Sequence, residues 1–406
     1  MLSPARTVDV TPTARLSEAV RPSVDWLQLT WIGWVGFSVA LLCKTIVSPL
    51  KHTTFPLFVD ATRLWWSSGQ PYVAFSFEYR YSPTFLAAFT PFAVLPYTIG
   101  GMIWSLANVV LLIYAMRQLM QHLLLRRWNP LQQSVFLAIV LLISVRSLWA
   151  AQCNTMIISL GCLAAVAVVQ QRWWTAALWL SIPVYIKVWP IALLMLMVAC
   201  WPRQLLGRTI AVMVGLALFP FLCQHPQYVM EQYRDWITGL SGPMQARHIY
   251  RDAWTIWEFV APPVQPRLYV VLQLVTAFGT LVYCLQHAWA NEDNRRTAIG
   301  VLGVWTVWQL VFGPGTERNT FCLIAPFAAW ALITAFESHR GRWLISAGGL
   351  MVILFSFGIF ERKLDKLTSG VVMALPIGVL LIGLWFAIYA RPSRFNKLMR
   401  QKAALL

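Results

Sequence analysis

Apolar runs alternate with short polar connections along almost the whole chain. The apolar segments fall near 26–48, 97–119, 131–149, 155–170, 173–186, 188–201, 209–223, 267–289, 297–313, 319–336, 342–360 and 369–390. A helix needs about 20 such residues to cross a bilayer, and fewer where it is packed inside a protein. Segment 155–170 would reach only about 24 Å at 1.5 Å per residue, so it is expected among other helices and not in lipid. The pattern predicts an all-α, polytopic membrane protein of about twelve transmembrane helices, with a large amphipathic first outer loop.

The polar connections test that prediction. With the N-terminus inside, one set holds Arg126/Arg127, Arg172, Arg203/Arg208, Arg295/Arg296, Arg340/Arg342 and a basic tail. These short loops have few acids, as cytoplasmic loops do under the positive-inside rule. The opposite set is 49–96, 150–154, 187, 224–266, 314–318 and 361–368, and two of its members are long and aromatic. Of the fifteen acids, nine fall on this outer side: Asp60, Glu78, Glu231, Asp235, Asp252, Glu258, Glu317, Glu361 and Asp365. Residues 1–25 are expected to be a cytoplasmic tail, 26–390 the membrane domain and 391–406 a basic cytoplasmic tail.

Composition agrees. The chain of 406 residues is 58% hydrophobic and 12% charged, against about 25% charged in soluble domains. Its net charge of +17 is scattered among the loops and forms no single patch, which argues against nucleic acid. The seven cysteines form no CxxC or Cys/His cluster, so neither a disulfide framework nor a zinc site is indicated. No P-loop or dinucleotide fingerprint is present, and no cofactor or metal is expected.

Three stretches could carry chemistry. Residues 56–68, PLFVDATRLWWSS, predict an amphipathic helix at the interface, with Trp65 and Trp66 at headgroup depth. Asp60 in its first turns is either a surface carboxylate paired with Arg63 at i+3 or a functional acid. In 146–198, Arg146, Gln152 and Asn154 sit at outer helix ends. Lys187 there either snorkels to the interface or offers a point charge to a phosphate. In 308–326, Gly313-Pro314-Gly315 breaks a helix, and Thr316 could cap the next, with Glu317 and Arg318 in its first turn. That turn is either an ordinary solvated one or an anion site. His248 and Arg251 in HIYRDAWTIWEF could touch a substrate or be solvated.

In order, these pieces read: an outer-loop Asp60; Gly69-x-Pro71-Tyr72; Tyr81-Ser82-Pro83 with Pro91 and a Leu95-Pro96 exit; Gln152-x-Asn154; Lys187-x-Trp189-Pro190; and Pro314 followed by Glu317. The set resembles the polyprenol-phosphate-sugar-dependent glycosyltransferases of family 87, which share the GT-C membrane fold and include mycobacterial mannosyl- and arabinofuranosyltransferases. Two departures stand out. Ala151-Gln152-Cys153-Asn154 replaces the family's frequent Gly-Gln-x-Asn, and Arg318 follows Glu317 where the family often has His.

The resemblance implies an inverting membrane glycosyltransferase of a bacterial inner membrane, with both termini cytoplasmic and the active site on the periplasmic face. It would move mannose or arabinofuranose from a polyprenyl phosphate to a hydroxyl of a glycolipid or glycan. Asp60 would be the general base. Lys187, Arg318, Glu317, Arg63, Arg80, Tyr81, Arg146, Gln152, Asn154, His248 and Arg251 would bind substrate. The competing reading is a transporter or lipid flippase built on broken helices. It predicts acids deep within helices, whereas here they fall in loops and at outer ends.

Overall fold

A computed structural model describes residues 25–75, 79–124, 128–241, 250–290, 293–356 and 373–389. His248, Glu78, Arg126, Arg127, Glu361, Asp365 and nearly all of both expected tails lie outside the described residues. Among the described residues the chain is helical, and its one β contact is an isolated antiparallel bridge between Tyr250 and Glu317.

The first part comprises α1 (Trp26–Val47), α2 (Phe55–Trp66), α3 (Pro71–Ala74), α4 (Pro83–Ala93) and α5 (Tyr97–Gln118), which continues as a π turn to Leu123. Then follow α6 (Pro130–Trp149), α7 (Asn154–Val169), α8 (Trp173–Ile186), α9 (Ile191–Cys200), α10 (Pro202–Leu218) and α11 (Pro226–Ser241). The last part holds α12 (Ala253–Val260), α13 (Pro266–Ala290), α14 (Asn294–Val311), a 3₁₀ stretch (Arg318–Ile324) leading into α15 (Ala325–Ser338), α16 (Arg342–Ser356) and α17 (Ala374–Tyr389).

Each of the twelve apolar segments contains a helix. Six spans are long and apolar enough to cross a membrane: α1, α5 with its π turn, α6, α10 with its 3₁₀ extension to Leu222, α13, and the stretch Arg318–Ser338. The shorter apolar helices are α7, α8, α9, α16 and α17. Proline at the first helical position starts several elements, where its missing N–H costs nothing: Pro83, Pro130 and Pro202. A capping box of Asn129 and Gln132 closes the start of α6.

Helix α7 is the axis of the bundle. All its residues but Met156 and Val169 are buried, as expected of a helix apolar all round. Its neighbours are α5, α8, α14 and the 3₁₀ stretch. The shortness read in the sequence therefore has a structural counterpart: α7 is shielded by other helices.

Polar contacts sort the connections into two groups. On one face Thr54 N–H donates to the Ala150 carbonyl at 2.9 Å, Ser82 Oγ to the Tyr185 carbonyl at 2.5 Å, and Lys187 Nζ to Asn154 Oδ1 at 3.1 Å. Arg146 Nε donates there to Asn319 Oδ1 at 3.0 Å. On the other, Trp201 Nε1 donates to Asn294 Oδ1 at 3.1 Å and Trp385 Nε1 to the Arg340 carbonyl at 3.2 Å. The first group joins the connections expected outside, the second those expected inside. The two are called here the acid-bearing face and the basic face.

Helices α16 and α17 cross in direct backbone contact. A Cβ on Gly348 would lie 2.8 Å from the Gly378 carbonyl oxygen, and one on Gly378 2.9 Å from that of Gly348. Such small-residue crossings gain packing where no hydrophobic driving force separates helix from lipid. Gly348→Leu should lower the melting temperature in detergent, since overpacking of this kind costs about 1–3 kcal/mol. Gly215→Leu, where a Cβ meets nothing within 4 Å, should not. Equal melting of the two variants would refute the crossing.

Candidate active site

Lys187 ends α8 in an extended conformation. Its ammonium donates to Asn154 Oδ1 at 3.1 Å and sits 5.7 Å from the centre of the Tyr81 ring. Among the described residues no carboxylate lies within ion-pair distance of it. Half-buried and held by a neutral amide, it does not reach away to the interface as a snorkelling lysine would. Asn154 opens α7 and is fully buried, and its Nδ2 has no partner; the same is true of Gln152 Oε1 and the Tyr79 hydroxyl. A buried polar atom left unpaired costs about 1–3 kcal/mol, so the unpartnered Asn154 Nδ2, on the same amide that holds this ammonium, marks a place suited to a polar ligand.

Burial, followed by the charges of Cys153 and Glu317, holds the Tyr81 phenol well above its usual range. Burial also pushes the Cys153 thiol up to about 12 although Lys187 pulls it down. Both groups are therefore neutral at pH 7. Tyr81 is a wall and a hydrogen-bond group, and Cys153 is no nucleophile. Tyr81 is fixed by Phe58, whose ring meets it edge-on at 4.8 Å, and by Tyr72, whose hydroxyl donates to the Tyr81 carbonyl at 2.9 Å. Trp236 of α11 donates to the Arg80 carbonyl at 3.1 Å.

The late turn and the second long loop are joined. Arg251 N–H donates to the Thr316 carbonyl at 2.8 Å beside the Tyr250–Glu317 bridge. Gly315 turns there at φ +68°, a conformation that favours glycine. Thr316 does not cap the following helix as expected; its hydroxyl donates back to the Gln309 carbonyl at 3.0 Å. Glu317 takes the N-cap position without a side-chain cap bond. Arg318 begins the 3₁₀ stretch, half-buried.

Asp60 sits elsewhere. Helix α2 forms as expected and buries Phe55, Phe58, Val59, Ala61, Thr62 and Trp65. At about 100° per residue, Asp60 lies roughly 200° from Phe58 and so faces away from Tyr81. Its Oδ1 accepts a hydrogen bond from the Tyr97 hydroxyl at the start of α5. The expected i+3 pairing with Arg63 does not form. That guanidinium donates to the Ala93 and Leu95 carbonyls at 2.9 and 3.0 Å and lies 4.7 Å from the Tyr97 ring centre. The two neighbouring tryptophans differ in burial: Trp65 is 0% exposed, while Trp66 is 43% exposed.

Two clusters thus stand on the acid-bearing face. One gathers Tyr81, Asn154, Lys187 and the field of Glu317, with Gln152 in the turn before Asn154. The other joins Asp60, Tyr97 and Arg63. The family model of glycosyltransferase family 87 matches residues 79–314, more than half of the chain. The chain belongs to glycosyltransferase family 87. It is therefore a membrane glycosyltransferase. No curated protein matches it in a sequence search. The matched range includes Tyr81, Arg146, Gln152, Asn154, Lys187 and Arg251, and it begins after Asp60 and ends before Glu317.

Sequence reasoning passed over several residues of this transferase. Tyr97, which bonds Asp60, directly follows the Leu95-Pro96 exit, but nothing local marks it as a partner. Asn319 is 173 residues from the Arg146 it binds. Gln309 is buried with both amide atoms unpartnered, beside Gly313, where a Cβ would come within 2.4 Å of it; a polar side chain in the apolar run WQLVFG was its signal.

The departure from glycine at 151 has a conformational consequence. Ala151 has φ +51°, and an L-residue there costs roughly 1–2 kcal/mol. The turn is kept by Trp104 Nε1, which donates to the Ala151 carbonyl at 3.0 Å, and by Thr54, whose hydroxyl reaches the Ala150 and Ala151 carbonyls. Ala151→Gly should stabilise the protein by about 1 kcal/mol after the added chain entropy, read as a slightly higher melting temperature. Ala151→Val should lower it. A melting temperature that falls with glycine would rule out strain at this turn.

Proposed function

We propose that this family 87 glycosyltransferase is inverting and takes its sugar from a polyprenyl phosphate on the outer face of a bacterial inner membrane. All twelve helical segments would cross, with both termini cytoplasmic and residues 26–390 forming the catalytic domain. The observation that carries the reading is the Lys187 ammonium held by Asn154 Oδ1, with the buried Nδ2 of the same amide unpartnered. A phosphate needs a cation and hydrogen-bond donors, and Asn154 Nδ2 is a donor with no other partner.

In the proposed reaction an acceptor hydroxyl oxygen attacks the anomeric carbon and forms the new C–O bond. The bond from that carbon to the phosphate oxygen breaks, and its electron pair leaves with polyprenyl phosphate. The hydroxyl proton passes to a carboxylate acting as general base. The leaving phosphate is already ionised, so it calls for electrostatic stabilisation and not for an acid. Lys187 supplies that charge, with Arg146, Arg318 and Arg251 as further cations on the same face. Mannose and arabinofuranose are the sugars the resemblance favours, with a glycolipid or glycan hydroxyl as acceptor.

The resemblance assigns the base to Asp60, which Tyr97 holds by one oxygen while the other is left for a proton. A second assignment, to Glu317, is favoured by its field on Tyr81 within the Lys187 cluster. The paired experiment measures donor affinity and product formation on purified Asp60→Asn, Glu317→Gln and Lys187→Ala proteins in lipid. With Asp60 as base, Asp60→Asn keeps donor binding and loses about 10²–10⁴ in rate, while Glu317→Gln remains active. The reverse pattern moves the base to Glu317. Lys187→Ala should lose roughly 10²–10³ through the phosphate, and normal turnover in that variant would sink the donor site.

Orientation has its own test. Gln227 is exposed near the start of α11 on the acid-bearing face. In a background lacking the exposed Cys43, Gln227→Cys should react with a membrane-impermeant maleimide on intact cells. Reaction only after permeabilisation would invert the proposed topology.

A further inference from the structure

Away from the acid-bearing face, a groove of about 700 Å³ runs along the last helices. Helix α14 packs against both α13 and α17 and forms its floor. Gly279, Gly300, Gly303 and Gly383 keep it deep, and its lining is chiefly apolar. The rims carry exposed apolar side chains, with Leu274 and Phe278 on α13 and Leu384 and Ile388 on α17. A slot of this kind within apolar helices opens toward hydrocarbon.

One end of the slot is charged. Arg296, His287 and Tyr389 line it where α13 and α17 end and α14 begins, at the basic face. The Arg340–Arg342 turn lies at the same mouth. Trp385 Nε1 donates to the Arg340 carbonyl at 3.2 Å, and a Cβ on Gly341 would come 2.5 Å from the Tyr389 ring. Among the described acids nearby, Asp293 caps α14 by accepting from Arg295 N–H at 2.9 Å, and Glu337 accepts from Gln132. An apolar slot with a cationic mouth complements a hydrocarbon chain with an anionic head.

We propose that the groove is a specific site for an anionic phospholipid of the leaflet at the basic face, with one acyl chain in the slot and the phosphate against Arg296. The chain is apolar in the bilayer and in the slot alike, so it supplies shape; the head supplies selectivity. Basic pockets between helices on the cytoplasmic side suit such heads. The polyprenyl phosphate donor is a poor occupant, a point that rests on the reading of the Lys187 site. Its phosphate would lie at the other end of α14, where Gln273 Nε2 donates to the Phe312 carbonyl at 2.5 Å.

The test is native mass spectrometry of the full chain in detergent. It is titrated with phosphatidylglycerol and phosphatidylcholine of identical chains, and with a polyprenyl phosphate as competitor. At about fivefold for each basic residue engaged, the wild type should retain one phosphatidylglycerol with a preference of roughly fivefold or more. Gly279→Leu should lower retention of both lipids by filling the slot, and a Cβ there meets nothing within 4 Å, so the fold should persist. Arg296→Gln should abolish the preference and Arg296→Lys should keep most of it. Equal retention of the two lipids by the wild type, or wild-type binding by Gly279→Leu, would mean annular lipid only and overturn the proposal. So would displacement of phosphatidylglycerol by equimolar polyprenyl phosphate. None of these outcomes depends on turnover, so they are separable from a failure of the catalytic assignments.

Discussion

A polar atom in hydrocarbon must find its partner inside the protein, and that constraint orders the molecule. Helices satisfy the backbone within each segment. Serine and threonine hydroxyls within them do the same on a smaller scale, bonding back to the carbonyl four residues earlier: Ser38 to Trp34, Thr45 to Leu41, Ser159 to Thr155 and Thr280 to Thr276. Longer polar contacts are left to the two faces. The unpartnered Asn154 Nδ2 differs from the other unsatisfied groups in lying on the amide that holds the Lys187 ammonium.

The proposed chemistry lies where that rule is relaxed. Among the described residues Lys187 meets an amide oxygen and an aromatic face and no carboxylate, which is what the proposed phosphate site requires. Its surroundings are stiff: Tyr81 is clamped by Phe58 and Tyr72, and the turn before Asn154 is clamped by Trp104 and Thr54. Preorganised charge in a half-buried setting stabilises a developing anion more than the same charge in water. Asp60 is held differently, half-buried and bonded to one phenol, with Arg63 beyond that phenol instead of against the carboxylate. A carboxylate so arranged keeps an oxygen for a proton.

The opposite face uses its charges for another purpose. Arginines cluster at helix ends, and among the described acids there Asp293 is tied into a cap and Glu337 into an amide contact. The groove over α14 links this face to the apolar exterior. On the proposed reading, this family 87 transferase keeps substrate chemistry at one end of its helices and lipid contact along their sides.

The sequence alone carried the all-helical membrane architecture, the positions of the twelve apolar segments, the central place of 155–170 and the family. Hydrophobic runs, prolines and glycines are local signals, and the bilayer imposes one solution on the backbone. It also marked Lys187, Gln152 and Asn154 as polar groups at helix ends, and Tyr81 through the family motif. Tertiary structure decided which way each one faces. Trp65 and Trp66 are adjacent, yet one is core and the other surface; Asp60 turned to Tyr97 and away from Tyr81; Thr316 turned back to Gln309. The partners of Asn154 and Arg146 are 33 and 173 residues away. The azimuth of a side chain about its helix has meaning only once neighbouring helices are in place, and that placement is settled by packing across the whole chain.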